Sequence, residues 1–257
     1  MSVDSQERGA RGHILTELGF TLTRVGDELH GQAAITPEIH VPGTAHLRTS
    51  VLVVWADIIA GHLAAHVIAP RVPVTLELDV HLFRPAPGSG LLRARGRTVK
   101  AGRSVFVAEI EFAAEDGEPV AVCGAAFMTQ PDPSKRLPPK LSEDLPVTDV
   151  LSVPLADRAG CERREPGVAV LPRSEDGLNA SGSVNGGLIA LAVEEAVLSL
   201  VPGDTLSSLG LRYLAAVRVG PAVATARLRG GVAQVELRDA GTDNRLAAMA
   251  TARTFGG

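Results

Sequence analysis

The chain carries the same pattern twice, and this duplication limits its possible folds more than any other feature. An apolar run opens at Arg48 and carries an acid at Asp57, and a second apolar run opens at Asn185 and carries an acid at Glu194. In both runs the acid lies nine residues after the polar residue that opens it. A matched pattern of this kind indicates two copies of one folded unit.

The stretches that follow the two runs repeat as well. An alternating segment covers 72–84 and ends in Arg84, and its counterpart covers 206–218 and ends in Arg218. The two acids are 137 residues apart and the two arginines are 134 residues apart, so both order and spacing recur. A unit of this length is a domain rather than a short solenoid repeat. In a chain of 257 residues each half is long enough to bury its own core.

The composition is that of an ordinary globular protein. Hydrophobic residues make up 45% of the chain, charged residues 21%, and the formal net charge is −4, so nothing favours binding to nucleic acid. The first nine residues lack the apolar core of a signal peptide, and Asp57, Glu194 and Glu195 interrupt the apolar runs before membrane-spanning length. We therefore expect a cytoplasmic protein with no membrane partner. Cys123 and Cys161 lack metal-site or redox spacing and are expected to be reduced thiols.

A proline-rich segment separates the two copies. Residues 131–146 contain five prolines among charged residues, which does not suit a helix interior or a central strand. The sequence therefore predicts an N-terminal domain over 1–130, a linker over 131–150 and a C-terminal domain over 151–257.

Each copy is predicted to hold one helix followed by four antiparallel strands, after a hairpin-like stretch at 20–35 in the first copy. The helices are expected at 47–66 and 186–200; a buried strand is the alternative for 47–66, but its length and lack of alternation favour a helix. The expected strands are 72–84, 90–99, 103–114 and 118–129, then 206–218, 222–229, 232–239 and 245–254. Since apolar residues surround each helix, an α+β fold follows in which a curved antiparallel sheet wraps a central helix.

These residues resemble a known family. Each copy is similar to a hotdog domain of the acyl-CoA thioesterase type, in particular the phenylacetic-acid-pathway thioesterases, where His-Gly-Gly opens the central helix and Leu-Ala-Asp carries the catalytic acid nine residues later. Trp55-Ala56-Asp57 matches the acid end and Asn185-Gly186-Gly187 matches the glycine end. The chain departs from the pattern at Arg48-Thr49-Ser50, which replaces the glycine loop, and at Glu194, which replaces the aspartate. The resemblance implies a tandem double hotdog and covers nearly the whole chain outside the termini and the linker.

The resemblance also implies a reaction and two candidate sites. Thioester hydrolysis needs a group that attacks the carbonyl or activates water, and donors for the oxyanion that forms. Hotdogs pair about a twofold axis so that each site joins the acid of one unit to the helix start of the other. Site one would join Asp57 to the helix start at 185–187, and site two would join Glu194 to Arg48 and Thr49. Site one is favoured because it keeps both halves of the motif, whereas Thr49 is β-branched where close backbone approach is needed.

Four cations lie at strand ends where the CoA phosphates leave the site in relatives. These are Arg84, Lys100, Arg103 and Arg218. The resemblance implies that they bind the nucleotide part of the substrate, and the alternative is that they are solvated surface charges.

Other reactions and roles stay open. His40 and His46 could serve a hotdog hydratase or dehydratase, which needs a histidine paired with an acid. His62 and His66 are spaced as half a metal site but lack a third ligand, so neither a metal nor a cofactor is predicted. The altered loop at 48–50 also suits a non-catalytic acyl-CoA binding or scaffold protein. The expected partner is an acyl-CoA, and the expected assembly is a monomer or a homodimer of double hotdogs.

Overall fold

The computed structural model describes residues 12–132, 134–137, 150–179 and 181–256. Most of the predicted 131–150 linker lies outside these residues, so the domain boundaries stay a prediction. The helices are α1 (Thr49–Ile68), α2 (Leu155–Ala159) and α3 (Gly186–Leu198). The strands of the first copy are β1 (Thr21–Val25), β2 (Glu28–Ala34), β3 (Pro73–Leu82), β4 (Leu91–Ala101), β5 (Val105–Ala114) and β6 (Pro119–Thr129). Those of the second copy are β7 (Glu162–Glu165), β8 (Val168–Leu171), β9 (Leu206–Tyr213), β10 (Ala222–Arg229), β11 (Val232–Asp239) and β12 (Arg245–Thr254).

Both predicted core helices are present, and the four-strand series after each is confirmed. β10, β11 and β12 have the predicted bounds, whereas β9 ends at Tyr213, five residues before the predicted end. The hairpin of β7 and β8 was not predicted. β7 reads Glu-Arg-Arg-Glu with every residue exposed, so it has none of the apolar alternation by which strands are recognised.

The twelve strands found among the described residues form one antiparallel sheet. Its order is β1-β2-β4-β5-β6-β3-β9-β12-β11-β10-β8-β7. The equivalent strands of the two copies meet at its centre, where β3 pairs with β9 from Glu77 opposite Arg212 to His81 opposite Ser208. Because these equivalent strands run antiparallel, a local twofold axis relates the two copies. The tandem hotdog architecture expected from the sequence is confirmed.

The sheet curves around α1 and α3, which lie side by side. Among the described residues, α1 is the one helix long and apolar enough to cross a membrane, yet the sheet and α3 enclose most of it. Trp55 is fully buried and stacks on Phe20 of the N-terminal segment, with ring centroids 5.3 Å apart. The two helices approach closely because Gly187 has no side chain: a Cβ there would lie 2.4 Å from Cγ2 of Val54.

The N-terminal segment crosses onto the second copy. Nε2 of His13 lies 2.8 Å from the carbonyl oxygen of Leu178. Arg158 of α2 donates to both carboxylate oxygens of Glu17 at 2.6 and 2.8 Å, and to Asp176 at 2.6 Å. These contacts hold the loop that leads into α3, and this loop forms part of the candidate site.

Candidate active site

One cavity of about 440 Å³ has walls from both copies. The first copy provides a mainly apolar wall, formed by Asp57, Gly61, Val72, Pro73, Val74, Thr75, Leu76, Phe127, Met128 and Gln130. The second copy provides a more polar wall, formed by Asn179, Ser181, Ser183, Val184, Asn185, Gly186, Ile189 and residues 213–218. The structure therefore brings together Asp57 and the start of α3, the two halves of site one.

Asp57 lies on α1 and faces this cavity. The hydroxyl group of Thr75 on β3 donates to Oδ1 of Asp57 at 3.0 Å. Burial raises the pKa of Asp57 to about 6, and the Thr75 hydrogen bond opposes part of this rise. The carboxyl is therefore mostly ionised at neutral pH while being a much stronger base than an exposed aspartate. These are the properties of a general base.

Asn185 caps the start of α3. Its Oδ1 accepts the N–H of Gly187 at 2.7 Å, which fixes the side-chain orientation and engages that N–H. Among the described residues, neither the N–H of Gly186 nor Nδ2 of Asn185 has a hydrogen-bond partner. Both residues line the cavity, whereas Gly187 does not and packs on α1 instead. The donors left for a substrate oxygen are thus the Gly186 N–H and the Asn185 amide.

Tyr213 at the end of β9 supports the same helix start from the cavity wall. Its hydroxyl group donates to the carbonyl oxygen of Gly186 at 3.0 Å. Burial raises the pKa of Tyr213 well above its usual value, so the phenol stays a neutral donor. A Cβ on Gly186 would lie 3.2 Å from the Tyr213 hydroxyl, so glycine suits this position sterically.

Arg218 lines the cavity in the segment that follows β9. The backbone N–H groups of Arg218, Val219 and Gly220 donate to the buried carboxylate of Asp239 at 2.8, 3.2 and 2.8 Å. Burial acts to raise the pKa of Asp239, but these bonds and one from Thr242 lower it overall. Asp239 therefore stays ionised and holds the segment that carries Arg218.

The other three predicted phosphate ligands do not line the cavity. Arg84 lies at the opposite end of β3 from Thr75, where it forms an exposed ion pair with Glu118 at 3.3 Å. Lys100 and Arg103 are exposed at the turn between β4 and β5. That turn lies at the same end of the sheet as the cavity, because the first residue of β5 pairs with the cavity-lining Met128.

Site two is filled by its own acid. Oε1 of Glu194 accepts the backbone N–H groups of Thr49 and Ser50 at 2.8 and 3.3 Å, and Oε2 accepts the Ser50 hydroxyl at 2.6 Å. Nη1 of Arg48 also donates to Oε2 at 3.3 Å. The glutamate carboxylate thus occupies the donor position at the start of α1 that a substrate oxygen would need.

A buried ion network extends from this carboxylate. Nη1 of Arg48 donates to Glu195 at 2.5 Å, and Arg163 donates to the other oxygen of Glu195 at 2.6 Å. Burial acts to lower the pKa of Arg48, but the charges of Glu194 and Glu195 outweigh it and raise the pKa. Both Arg48 and Glu194 are 0% exposed. The network therefore binds the start of α1 to α3 and leaves no acid free for chemistry.

No histidine is among the cavity-lining residues. His40 and His46 contact backbone carbonyl oxygens at 2.8 and 3.0 Å outside the cavity. His62 contacts a carbonyl of its own helix at 2.7 Å, and His66 is exposed. The pairing of a histidine with an acid, which a hydratase would need, is not found in the part of the cavity that the structure describes.

Several site residues were not singled out from the sequence. Thr75 and Tyr213 lie inside strands that were predicted, but nothing in the strand pattern marks a hydroxyl group that faces an acid on another element. Asn179 has the form of a glycosylation sequon, yet its side chain accepts the N–H of Ser181 at 2.9 Å and lines the cavity.

The fold and the cavity define a tandem hotdog protein with one open site between its copies. Residues 46–121, which run from the loop just before α1 into β6, match the family model of the thioesterase superfamily. This match confirms the resemblance for the first copy at the level of the superfamily and does not single out the phenylacetic-acid group.

Solved structures extend the likeness across both copies. The chain is similar to an acyl-ACP thioesterase from Bacteroides thetaiotaomicron, with 14% identity, a TM-score of 0.64, and coverage of 89% of this chain and 98% of that one. It is also similar to a 12:0-ACP thioesterase from Umbellularia californica, with 12% identity, a TM-score of 0.66, and coverage of 90% and 98%. A comparison with curated protein sequences gives no significant match. At these identities the likeness establishes the shared fold.

Proposed function

We propose that the protein hydrolyses acyl-CoA thioesters to the free acid and CoA at site one. Thioester hydrolysis as the reaction class is supported by the superfamily match of residues 46–121. The observation that carries the proposal is the cavity wall shared by Asp57 of one copy and by Asn185 and Gly186 of the other. A basic carboxylate and unpaired donors on one cavity are what acyl transfer to water requires.

The residues suggest an order of events. The thioester carbonyl oxygen accepts hydrogen bonds from the Gly186 N–H and the Asn185 amide. Asp57 takes a proton from water as the water oxygen bonds to the carbonyl carbon, and the two donors stabilise the resulting oxyanion. The carbon–sulfur bond then breaks, and the thiolate leaves with the proton held by Asp57. Direct attack of the Asp57 carboxylate on the carbonyl carbon is the alternative, and a pKa raised to about 6 suits either role.

Arg218 supports CoA as the leaving group. It is a cation on the polar wall of the cavity, and a guanidinium suits contact with phosphate. The two similar structures named above are thioesterases of acyl-ACP, so thioesters of a carrier protein form the second candidate substrate class. Both share a phosphopantetheine arm, and the two classes differ in what lies beyond it.

The proposal is tested by a panel of thioesters from acetyl-CoA to palmitoyl-CoA, with phenylacetyl-CoA and matched acyl-ACP substrates. Release of free thiol by the purified protein is expected for at least one member, and the Asp57→Asn variant is expected to lose it. Tight binding of acyl-CoA without release of thiol would instead support the non-catalytic binding or scaffold role.

We further propose a cytoplasmic protein that works as a monomer or as a homodimer of double hotdogs. One chain already contains the pair of units that forms a site, so no second chain is needed to complete it. Light scattering is expected to give the mass of one or two chains, and an obligatory trimer would contradict this.

A further inference from the structure

Gly61 is a glycine in the interior of a long helix. It lies well inside α1, which runs from Thr49 to Ile68. Glycine disfavours a helix relative to alanine because it loses more conformational freedom on folding. A glycine at such a position therefore needs a reason.

Neither backbone conformation nor packing supplies that reason. Gly61 does not adopt a left-handed φ, so an alanine would fit its backbone without strain. A Cβ built on Gly61 meets no atom within 4 Å. Every other glycine in the described helices and strands has an atom within 4 Å of that position. The missing side chain of Gly61 therefore makes room for nothing that belongs to the described residues.

The space beside Gly61 is the cavity. Gly61 lines it together with Asp57, which lies four residues earlier and thus on the same face of α1. One helical turn spans about 5.4 Å, so a group held against Gly61 lies only a few bonds from the reacting carbonyl. The wall that the first copy provides is mainly apolar, with Val72, Val74 and Phe127, and most of the polar lining residues lie on the opposite wall.

We propose that Gly61 determines which acyl groups the site accepts, by leaving room for bulk near the carbonyl. The class of substrate it admits is a thioester whose acyl group is branched or carries a ring within its first few carbon atoms. This inference rests on the proposed thioesterase function, because it assigns the acyl group to the apolar wall next to Asp57.

The test compares two variants, Gly61→Ala and Gly61→Val, on acetyl-CoA, isobutyryl-CoA and phenylacetyl-CoA. Gly61→Val is expected to lower the ratio of kcat/KM for phenylacetyl-CoA over acetyl-CoA by about tenfold or more, the scale of steric selection in an apolar pocket. Gly61→Ala is expected to lower it less and to raise the Tm, because alanine favours the helix. His66→Ala, on an exposed position of the same helix, is the matched control and should leave the ratio unchanged.

A purely structural glycine would change the Tm or the overall rate but not this ratio, so an unchanged ratio in both folded variants overturns the inference. Calorimetric binding of the same thioesters to Asp57→Asn, with and without Gly61→Val, separates the inference from the proposed function. Loss of phenylacetyl-CoA affinity in the double variant, with acetyl-CoA affinity kept, supports the role of Gly61 even where no thioester is hydrolysed. Absence of both hydrolysis and binding across the panel overturns the inference as well as the proposed function.

Discussion

Asp57 and Glu194 occupy equivalent places on two equivalent helices, yet their surroundings are opposite. Within the part of the chain that the structure describes, Asp57 has one hydrogen-bond partner, the Thr75 hydroxyl, and it faces a cavity. Glu194 accepts bonds from Arg48, Thr49 and Ser50 and is 0% exposed. An acid whose lone pairs are all engaged cannot take a proton from water, whereas an acid with a free oxygen in a cavity can. The comparison teaches that neighbours, more than position in a repeat, decide whether a buried carboxylate is structural or reactive.

The largest effect is expected from removing the structural acid. Glu194→Ala leaves the buried guanidinium of Arg48 with only Glu195 as a counter-charge. It also leaves the N–H groups of Thr49 and Ser50 without their hydrogen-bond acceptor. Breaking a buried pair in this way costs about 3–5 kcal/mol of unfolding free energy. Urea denaturation followed by circular dichroism measures this cost. A loss of unfolding free energy below about 1 kcal/mol, the range of surface ion pairs, would mean that the network does not stabilise the contact between the two copies.

If the proposed function holds, Asp57 is expected to contribute most to activity. Asp57→Asn should lower kcat by about 100-fold or more, because the base that activates water is lost. Glu194→Gln keeps the shape of the network and should reduce kcat far less in the fraction that stays folded. Steady-state release of thiol, with the folded fraction measured in parallel, distinguishes them. Loss of activity in Glu194→Gln with full activity in Asp57→Asn would place the working site at the other helix start.

The pH dependence of kcat/KM tests whether the carboxyl with the raised pKa, Asp57, is the one that the reaction needs. Since the pKa of Asp57 is about 6, kcat/KM should fall about tenfold per pH unit below 6 and level off above it.

The same group should make unfolding free energy change with pH in the opposite direction. The folded state binds the Asp57 proton more tightly than the unfolded state, in which the pKa of this carboxyl is near 3.8. Unfolding free energy should therefore fall as pH rises from 4 to 6, by up to about 3 kcal/mol from this group.

The Asp57→Asn variant provides the control for both halves of that prediction. Its unfolding free energy should lack the decline between pH 4 and pH 6 and should exceed that of the wild type at pH 7. A wild-type rate that stays constant down to pH 4 would show that the essential carboxyl has an ordinary pKa.

The smallest effect is expected at the edge of site one. Arg218→Ala should raise KM for acyl-CoA by about threefold to tenfold, because a partly exposed phosphate contact is weakened by solvent. A short N-acetylcysteamine thioester, which lacks the phosphates, should be unaffected. Arg84→Ala, whose side chain lies at the opposite end of β3, is the matched control. Nη1 of Arg218 also donates to the carbonyl oxygen of Ser181 at 3.2 Å. Equal effects on both thioesters would therefore assign Arg218 to holding that loop rather than to binding phosphate.

The sequence determines the architecture of this protein well because its signals are local and repeated. The apolar runs with one acid predict α1 and α3, and strand alternation predicts the long strands down to the bounds of β10 and β11. The pairing of Asp57 with 185–187 follows from the twofold symmetry of hotdog pairs. The contacts that separate the two sites were not predictable, because the bond between Thr75 and Asp57 and the saturation of Glu194 depend on side chains from elements distant in the chain.

The pairing of β3 with β9 at the centre of the sheet also affects how the two copies can diverge in sequence. A single copy expressed alone would present β3 as a bare edge, which invites any matching strand, including that of an identical copy. Joining the two copies in one polypeptide gives each strand a fixed and unlike neighbour at a one-to-one ratio. In a homodimer the same codons encode both helix starts, so a mutation changes both. In a tandem chain a mutation at one helix start leaves the other unchanged. Because the two copies are covalently joined, site two can become a buried ion network while site one keeps an open cavity.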